Sequence, residues 1–130
     1  MSQQNVEVVK RTLESFAKTG VPDLSDLDPQ IEIHDHEPPD SAVHHGHHGF
    51  MRSIQDWESA WEDYSFDIEE LIEAEDRVVV ILHTTATGRT SGLKLDRRDA
   101  QVYELRDGRV VRLDYFSTKA EALEALRPRE

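Results

Sequence analysis

The sequence predicts a single α+β domain in which helices lie on one face of a curved antiparallel sheet. Two observations predict this class. Apolar residues recur at helical spacings in two segments of the first half, whereas residues 66–116 alternate with period two and are rich in β-branched side chains. Helices followed by hairpin-connected strands form a two-layer fold. A chain of 130 residues has the length of one domain, which we place at residues 1–130.

The first half predicts two long helices separated by a strand and a loop. The first helix, over 4–19, has apolar residues at spacings of three and four: Val6, Val9, Leu13 and Phe16. The segment "PDLSDLDP" permits one short helical turn, and "QIEIHDH" alternates as a half-buried strand does. Two prolines and two glycines predict a loop over "EPPDSAVHHGHHG", and a second helix of about 50–63 follows.

The second half predicts a meander of about four strands and a short final helix. The predicted strands are "FDIEEL", "RVVVILHTTATG", "LKLDRRDAQVYEL" and "RVVRLDYF". Between the last two, Asp107-Gly108 is a strong signal for a two-residue hairpin turn. Thr118 and Glu121 have the spacing of a capping box, which predicts a helix in "STKAEALEAL".

The amino-acid composition limits the kinds of molecule that we expect this protein to bind. The net charge of −12 would repel nucleic acid and anionic membranes, so neither is an expected partner. The absence of cysteine excludes a disulfide framework, a thiolate nucleophile and Cys-ligated zinc. The N-terminal segment lacks the apolar core of a signal peptide, and we therefore expect a cytoplasmic protein.

Asp35 is the leading candidate for chemistry. Alternation along its strand places Asp35 on the apolar face with Ile31 and Ile33, and places His34 and His36 on the opposite face. A carboxylate on an apolar face needs a hydrogen bond or a charged partner. Poor solvation also makes a carboxylate a stronger base, which suits it to proton transfer. Two interpretations stay open: Asp35 is a catalytic or ligand-contacting group, or it only caps the loop that follows.

The last hairpin supplies further candidates. A two-residue turn at Asp107-Gly108 puts three facing pairs on one side of the sheet: Gln101 with Asp114, Tyr103 with Arg112, and Asp99 with Phe116. The other side would carry Val102 with Leu113 and Ala100 with Tyr115. Pattern alone favours packing of the second side and solvation of the first. A surface network of Tyr103, Arg112 and Asp114 is therefore an open alternative to a binding site.

Aromatic and histidine side chains allow both structural and functional interpretations. Trp57 and Trp61, four residues apart on the predicted helix, suit either core packing or a wall against a flat ligand. His83 lies mid-strand on the predicted face of Gln101, where a satisfied buried histidine is the commoner outcome. The histidines of residues 34–48 could chelate a metal, but a polar loop covering a pocket is the favoured interpretation, so we expect no metal.

Four segments together resemble the SnoaL-like polyketide cyclase and ketosteroid isomerase group of the nuclear-transport-factor-2-like superfamily. They are "NVEVVKRTLESFAKTG", "DPQIEIHDHEPPD" leading into "HHGHHGF", "DRVVVILHTTATGRTSG", and "YELRDGRVVRLDYFSTKAEALEAL". The resemblance covers nearly the whole chain. It implies a cone-shaped, cystatin-like α+β barrel around one apolar pocket, but not a particular reaction, because the fold hosts isomerases, cyclases, dehydratases and binding modules.

The resemblance also implies roles for particular residues. Asp35 matches the general base of ketosteroid isomerases, Gln101 takes the place of their protonated aspartic acid, and Phe116 matches a pocket aromatic. The oxyanion-hole tyrosine of that family aligns near Leu13, so this part of the pattern is missing. The incomplete set argues against steroid isomerisation. It leaves Asp35 and Gln101 as catalytic candidates, and as substrate-binding candidates Phe16, Trp57, Trp61, His83, Tyr103, Asp114 and Phe116.

Three functions are compatible with this sequence. The first is cofactor-independent acid–base chemistry, of isomerase, cyclase or dehydratase type, on a small apolar molecule that bears a carbonyl. The second is a non-catalytic protein that binds a small ligand in the same pocket, and the third is a metal-dependent enzyme built on the histidines. If the polar side of the hairpin lines the pocket, Val102, Leu113 and Tyr115 would be exposed, which predicts a homodimer through the outer sheet face.

Overall fold

The fold is described here from a computed structural model, which describes residues 2–19, 24–36 and 42–126. Three helices are present in this part of the chain: α1 (Ser2–Thr19), α2 (Gly46–Ala60) and α3 (Lys119–Ala125). Six strands accompany them: β1 (Leu27–Asp35), β2 (Ala42–His45), β3 (Trp61–Ala74), β4 (Arg77–Gly88), β5 (Lys94–Arg106) and β6 (Arg109–Phe116). A 3-10 turn at Leu24–Asp26 leads into β1.

The strands form one curved sheet in the order β2-β1-β6-β5-β4-β3. The predicted α+β class is confirmed, with two differences in the sheet. β1 runs parallel to β6, so the sheet is mixed rather than antiparallel throughout. β2 and β3 are its two edges, so the sheet does not close into a barrel.

The inner face of the sheet, defined here as the face that α1 and α2 cover, holds the larger core. Val9 on α1, Ile31 and Ile33 on β1, Val80 on β4 and Leu113 on β6 are fully buried in it. Burying one aliphatic side chain of this size contributes about 1.5–3 kcal/mol. The apolar pattern of the first predicted helix therefore fixes how α1 lies on the sheet.

The outer face of the sheet holds a smaller core beneath α3. Val79, Ala100, Val102 and Phe116 pack there with Ala122 of α3. The prediction that the helices share one face is therefore wrong for α3. Thr118 is the N-cap of α3, as predicted, because its Oγ1 accepts a hydrogen bond from the backbone N–H of Glu121 at 3.2 Å.

The predicted loop before α2 is in part regular structure. Residues 42–45 form β2, which pairs with β1, and α2 begins at Gly46 rather than near residue 50. Gly46 has φ +73°, a conformation that glycine adopts without a steric penalty, and this lets the chain turn directly from strand to helix. The helix ends at Ala60, because Trp61 is extended and starts β3. Residues 37–41 of the predicted loop lie outside the described residues.

The register of the last hairpin differs from prediction by one residue. Asp107 and Gly108 both have positive φ and form the predicted turn, with Arg106 opposite Arg109 and Leu105 opposite Val110. A bulge follows, because the next pair is Glu104 with Arg112. Val111, which lies between Val110 and Arg112 on β6, therefore has no partner on β5. From that point on, the predicted register is wrong, because one extra residue reverses the faces of β6 relative to β5.

The bulge redistributes the faces of β6. Gln101 now faces Tyr115, and Tyr103 faces Leu113. Leu113 is buried in the inner core, and Val102 is buried beneath α3. The exposed patch on which the homodimer prediction rested is therefore not present, and the homodimer itself stays a prediction.

Candidate functional site

A cavity of about 500 Å³ lies between the two N-terminal helices and the inner face of the sheet. Thr12, Leu13 and Phe16 of α1 form one wall, while α2 contributes residues from Phe50 to Ala60. The sheet contributes the remaining wall, with residues from all six strands. The volume is in the range of small-molecule sites.

Aromatic rings line one end of this cavity. Phe16 lies 5.9 Å from both Tyr64 and Phe66 between ring centroids, in stacked arrangements. Trp57 stacks with Trp61 at 6.1 Å and meets Tyr64 edge-on at 4.9 Å. Burial raises the pKa of the Tyr64 phenol, with Glu58 adding to the effect. This end of the cavity presents broad apolar surfaces that suit a ring-containing ligand.

Asp35 is the polar group that β1 brings to the cavity. Ile31 and Ile33 are completely buried on the same side of β1, and Asp35 lines the cavity at the end of the strand. The predicted alternation is thus correct for this strand. The backbone N–H of the next residue, His36, donates to the carbonyl of Tyr115 at 3.0 Å, which keeps the end of β1 attached to β6.

Gln101 and Tyr103 form a hydrogen-bonded pair on the cavity side of β5. The Tyr103 hydroxyl donates to Oε1 of Gln101 at 2.7 Å. Tyr103 is 3% exposed, and this burial raises the pKa of its phenol well above the usual value, with Tyr115 nearby adding to the effect. Because the Gln101 oxygen accepts from Tyr103, its amide nitrogen is the end that can donate to a ligand.

The strand register places three of these polar side chains in one row across the sheet. Tyr115 of β6 is paired with Asp35 of β1 on one side and with Gln101 of β5 on the other. Adjacent strands are about 4.8 Å apart, so the Asp35 and Gln101 backbones are separated by about 10 Å. Two side chains that face the same cavity across this span can contact one small molecule from opposite ends.

Arg97 and Asp99 form an ion pair in the cavity wall. Nε of Arg97 lies 2.5 Å from Oδ1 of Asp99, and both residues precede Gln101 on the same side of β5. Sequence reasoning did not select Arg97, although its period-two relation to Gln101 was a usable signal. Tyr64, Thr84 and Tyr115 also line the cavity and were not among the candidates.

Seven of the nine candidates line the cavity and two do not. The lining residues are Asp35, Gln101, Phe16, Trp57, Trp61, Tyr103 and Phe116. Phe116 also packs in the outer core. The two exceptions are Asp114 and His83. The predicted face of His83 is wrong, because His83 is paired with Arg98, on the side of β5 opposite Gln101, and its Nε2 lies 2.6 Å from Asp96 Oδ1.

Asp114 is the centre of a charged network on the outer face. Arg112 donates to it through Nε and Nη2 at 2.9 and 3.0 Å, and His36 Nε2 lies 2.7 Å from Oδ1. The His36 ring stacks on Phe116 with centroids 4.5 Å apart. Desolvation alone would raise the pKa of Asp114, but the hydrogen bonds from Arg112 and His36 outweigh it and lower that pKa. The bulge in β6 is what turns Asp114 away from the cavity.

The histidines of residues 34–48 are divided among several elements. His34 bonds to Glu32 at 2.9 Å, and His47 on α2 bonds to the carbonyl oxygen of Leu27 at 2.8 Å. His44 lines the cavity from β2. Within residues 2–19, 24–36 and 42–126, no group of three or more histidine and carboxylate side chains is arranged to hold a metal ion.

Comparison with known proteins places this architecture in a family. The model of the SnoaL-like domain matches residues 9–113. The chain belongs to the SnoaL-like family. This confirms the resemblance drawn from the sequence, since the match runs from the middle of α1 into β6. None of the described helices is both long enough and apolar enough to cross a membrane. Among curated proteins, no sequence matches the chain significantly.

Solved structures of the nuclear-transport-factor-2-like fold are similar to this member of the SnoaL-like family over almost its full length. A protein of unknown function from Burkholderia pseudomallei is 21% identical with a TM-score of 0.75, covering 96% of this chain and 98% of that one. A protein from Burkholderia thailandensis is 20% identical with a TM-score of 0.78, covering 95% and 98%. TerC, co-crystallised with polyporic acid, is 20% identical with a TM-score of 0.76, covering 95% and 98%. At these identities the likeness establishes the fold.

Proposed function

We propose that the cavity binds a small, ring-containing apolar molecule that bears a carbonyl, and that Asp35 acts on it as a general base. The observation that carries the proposal is the row of Asp35, Tyr115 and Gln101 across the inner face of the sheet. The structural neighbour TerC was co-crystallised with a small molecule, polyporic acid. The SnoaL-like fold is frequently used for cyclases and isomerases, which supports acid–base chemistry as the reaction class.

The proposed step is proton abstraction beside a carbonyl. Asp35 would take a proton from the carbon next to the carbonyl, and the electron pair of that C–H bond would move to form an enolate. The amide nitrogen of Gln101 would donate a hydrogen bond to the enolate oxygen, with Tyr103 holding the amide in this orientation. In a substrate with a carbon–carbon double bond next to that carbon, the enolate is conjugated, and return of the proton from the Asp35 carboxyl group to the far end of the double bond completes an isomerisation. In a substrate with a second carbonyl, attack of the enolate carbon forms the new C–C bond, and the resulting alkoxide takes the proton from Asp35 to complete a cyclisation.

The spacing of the two groups suits this step. A base oxygen and a donor nitrogen must each approach the substrate to about 3 Å from opposite ends of a short C–C–O unit. Backbones about 10 Å apart leave room for that unit between the side chains of Asp35 and Gln101. Apolar neighbours such as Leu113 exclude water, which strengthens both interactions.

A receptor without catalytic activity is the second candidate function. Leu13 supports it, because this residue lines the cavity where ketosteroid isomerases have an oxyanion-hole tyrosine on the first helix. In that case the cavity would hold its ligand unchanged, and Asp35 would serve only as a hydrogen-bond acceptor. The two functions make different predictions for the exchange of a substrate proton.

The experiment is deuterium exchange into 2-tetralone, a two-ring ketone, followed by NMR in deuterium oxide. An enzyme should accelerate exchange at the carbons beside the carbonyl. Replacing Asp35 by Asn should lower that acceleration by about 100-fold or more, as loss of a general base does, while ketone binding persists. The matched control is Glu32→Gln, on the opposite face of the same strand, which should exchange like the wild type. Binding without exchange in the wild type would favour the receptor.

A further inference from the structure

The cavity side of β5 carries two polar pairs, and the proposed carbonyl chemistry uses one of them. Gln101 and Tyr103 form the first, and Arg97 and Asp99 form the second. The second pair lies towards the aromatic end of the cavity. Strand pairing puts Arg97 next to Thr84 of β4, which is in turn paired with Phe66 of β3.

The Arg97–Asp99 pair lies in a largely desolvated part of the cavity wall. The Asp99 side chain is 16% exposed, and the two contacting atoms, Nε and Oδ1, are both buried. Removing two charges from water is expensive, and buried ion pairs often stabilise a protein less than apolar side chains of similar size would.

The chemistry of the pair indicates what it could recognise. Of the described residues that line the cavity, Arg97 is the one arginine or lysine, and 35% of its side chain remains exposed. A guanidinium has five N–H donors in a planar fork that matches a carboxylate or another pair of oxygens. Asp99 contacts the Nε edge of this fork.

We propose that Arg97 binds an acidic oxygen substituent of the ligand, a carboxylate or an ionised phenol, at the aromatic end of the cavity. This deepens and rests on the proposed carbonyl-binding function. Arg97 and Gln101 are four residues apart on one strand, so their backbones are separated by about 13 Å. The ligand class is therefore a system of two or three rings with a carbonyl at one end and an acidic oxygen at the other. Asp99 is a positioning residue that acts through Arg97.

The experiment compares two probes of the same ring system and nearly the same shape, the anionic 2-naphthoic acid and the neutral 2-naphthamide, by isothermal titration calorimetry at pH 7. The wild type should bind the acid at least about tenfold more tightly than the amide, as expected for a charge-assisted hydrogen bond. Arg97→Met should remove this preference. Because that change leaves the Asp99 carboxylate without its partner, the double variant Arg97→Met with Asp99→Leu provides a second test without a lone buried charge.

The matched control is Arg98→Met. Arg98 is the next residue, but its guanidinium lies on the opposite side of β5 and forms a bidentate pair with Glu69 at 2.8 and 3.1 Å. This variant should keep the preference of the wild type for the acid. The urea unfolding midpoint should be measured for Arg98→Met and for both Arg97 variants. Comparing these midpoints separates an effect on ligand recognition from an effect on folding.

The outcomes separate the two proposals. Equal affinity of the wild type for both probes, or a preference for the acid that survives in both Arg97 variants, would overturn the role of Arg97 and leave the carbonyl proposal intact. Failure of both probes to bind would overturn the role of Arg97, while the measurements with 2-tetralone would still decide the carbonyl proposal by themselves. A purely structural role would change the unfolding midpoint of the Arg97 variants and leave the ratio of the two affinities unchanged, which also contradicts the proposal.

Discussion

Replacing Asp114 by Ala tests the most concentrated charge network of the outer face. Asp114 is 8% exposed and accepts from Arg112 at 2.9 and 3.0 Å and from His36 at 2.7 Å. Breaking a fully buried ion pair costs about 3–5 kcal/mol. Because a third of the Arg112 side chain is exposed and water would solvate it in the variant, we expect a loss of about 2–3 kcal/mol.

The assay for Asp114→Ala is urea unfolding at pH 7 and again at acidic pH. With an m-value of about 2 kcal/mol per molar urea, the expected loss lowers the midpoint by about 1–1.5 M. The folded-state pKa of Asp114 is lowered, so its contribution to stability is present above about pH 4, where the unfolded carboxyl titrates, and is lost as the pH falls through the folded pKa. The difference between the wild type and the variant should therefore shrink below about pH 4.

The control is Asp67→Asn, an exposed aspartate of β3 that lies outside this network, and its midpoint should match that of the wild type. The reasoning would be refuted by an Asp114→Ala midpoint equal to that of the wild type at pH 7. It would be refuted equally by a difference that keeps its full size in acid.

Three further predictions test the polar pair on β5, the turn at Gly46 and the homodimer. Tyr103→Phe removes the hydroxyl that orients Gln101, so it should cost about 1 kcal/mol in urea unfolding and slow deuterium exchange into 2-tetralone. Gly46 and Gly92 both have positive φ, but an added Cβ would meet the backbone only at Gly46, at 3.2 Å from Pro29 O. Gly46→Ala should therefore destabilise the protein more than Gly92→Ala, and equal losses of stability would show that φ alone matters. Sedimentation velocity at micromolar concentration tests the predicted homodimer, and a single monomer species would contradict it.

The sequence was sufficient for the class of the fold because periodicity and capping are local signals. The spacing of Val9 and Leu13 placed α1 against the sheet, and Thr118 marked the start of α3. Alternation around Ile31 and Ile33 placed Asp35 in the cavity wall. Each of these inferences depends on residues within a few positions of one another.

The errors arose where geometry depends on a single irregular residue or on distant contacts. The bulge in β6 has no local signature, and it exchanges the faces of Asp114 and Tyr115. The strand β2 gains its stability by pairing with β1, which composition did not reveal amid prolines and glycines. Arg97 was not predicted as a site residue, because a charged residue in a strand is usually exposed to solvent. In the folded sheet its side chain lies in the cavity wall beside Asp99.

The most direct test of the central claim is a crystal structure with 2-naphthol, whose planar ring and hydroxyl resemble the enolate of 2-tetralone. A site built for the enolate should bind such an analogue tightly and in the reactive orientation. We predict that its oxygen lies about 2.7–3.1 Å from Nε2 of Gln101, with the adjacent ring carbon facing the carboxylate of Asp35. A probe oxygen that is directed away from Gln101, with Asp35 remote from the ring, would contradict the proposed chemistry.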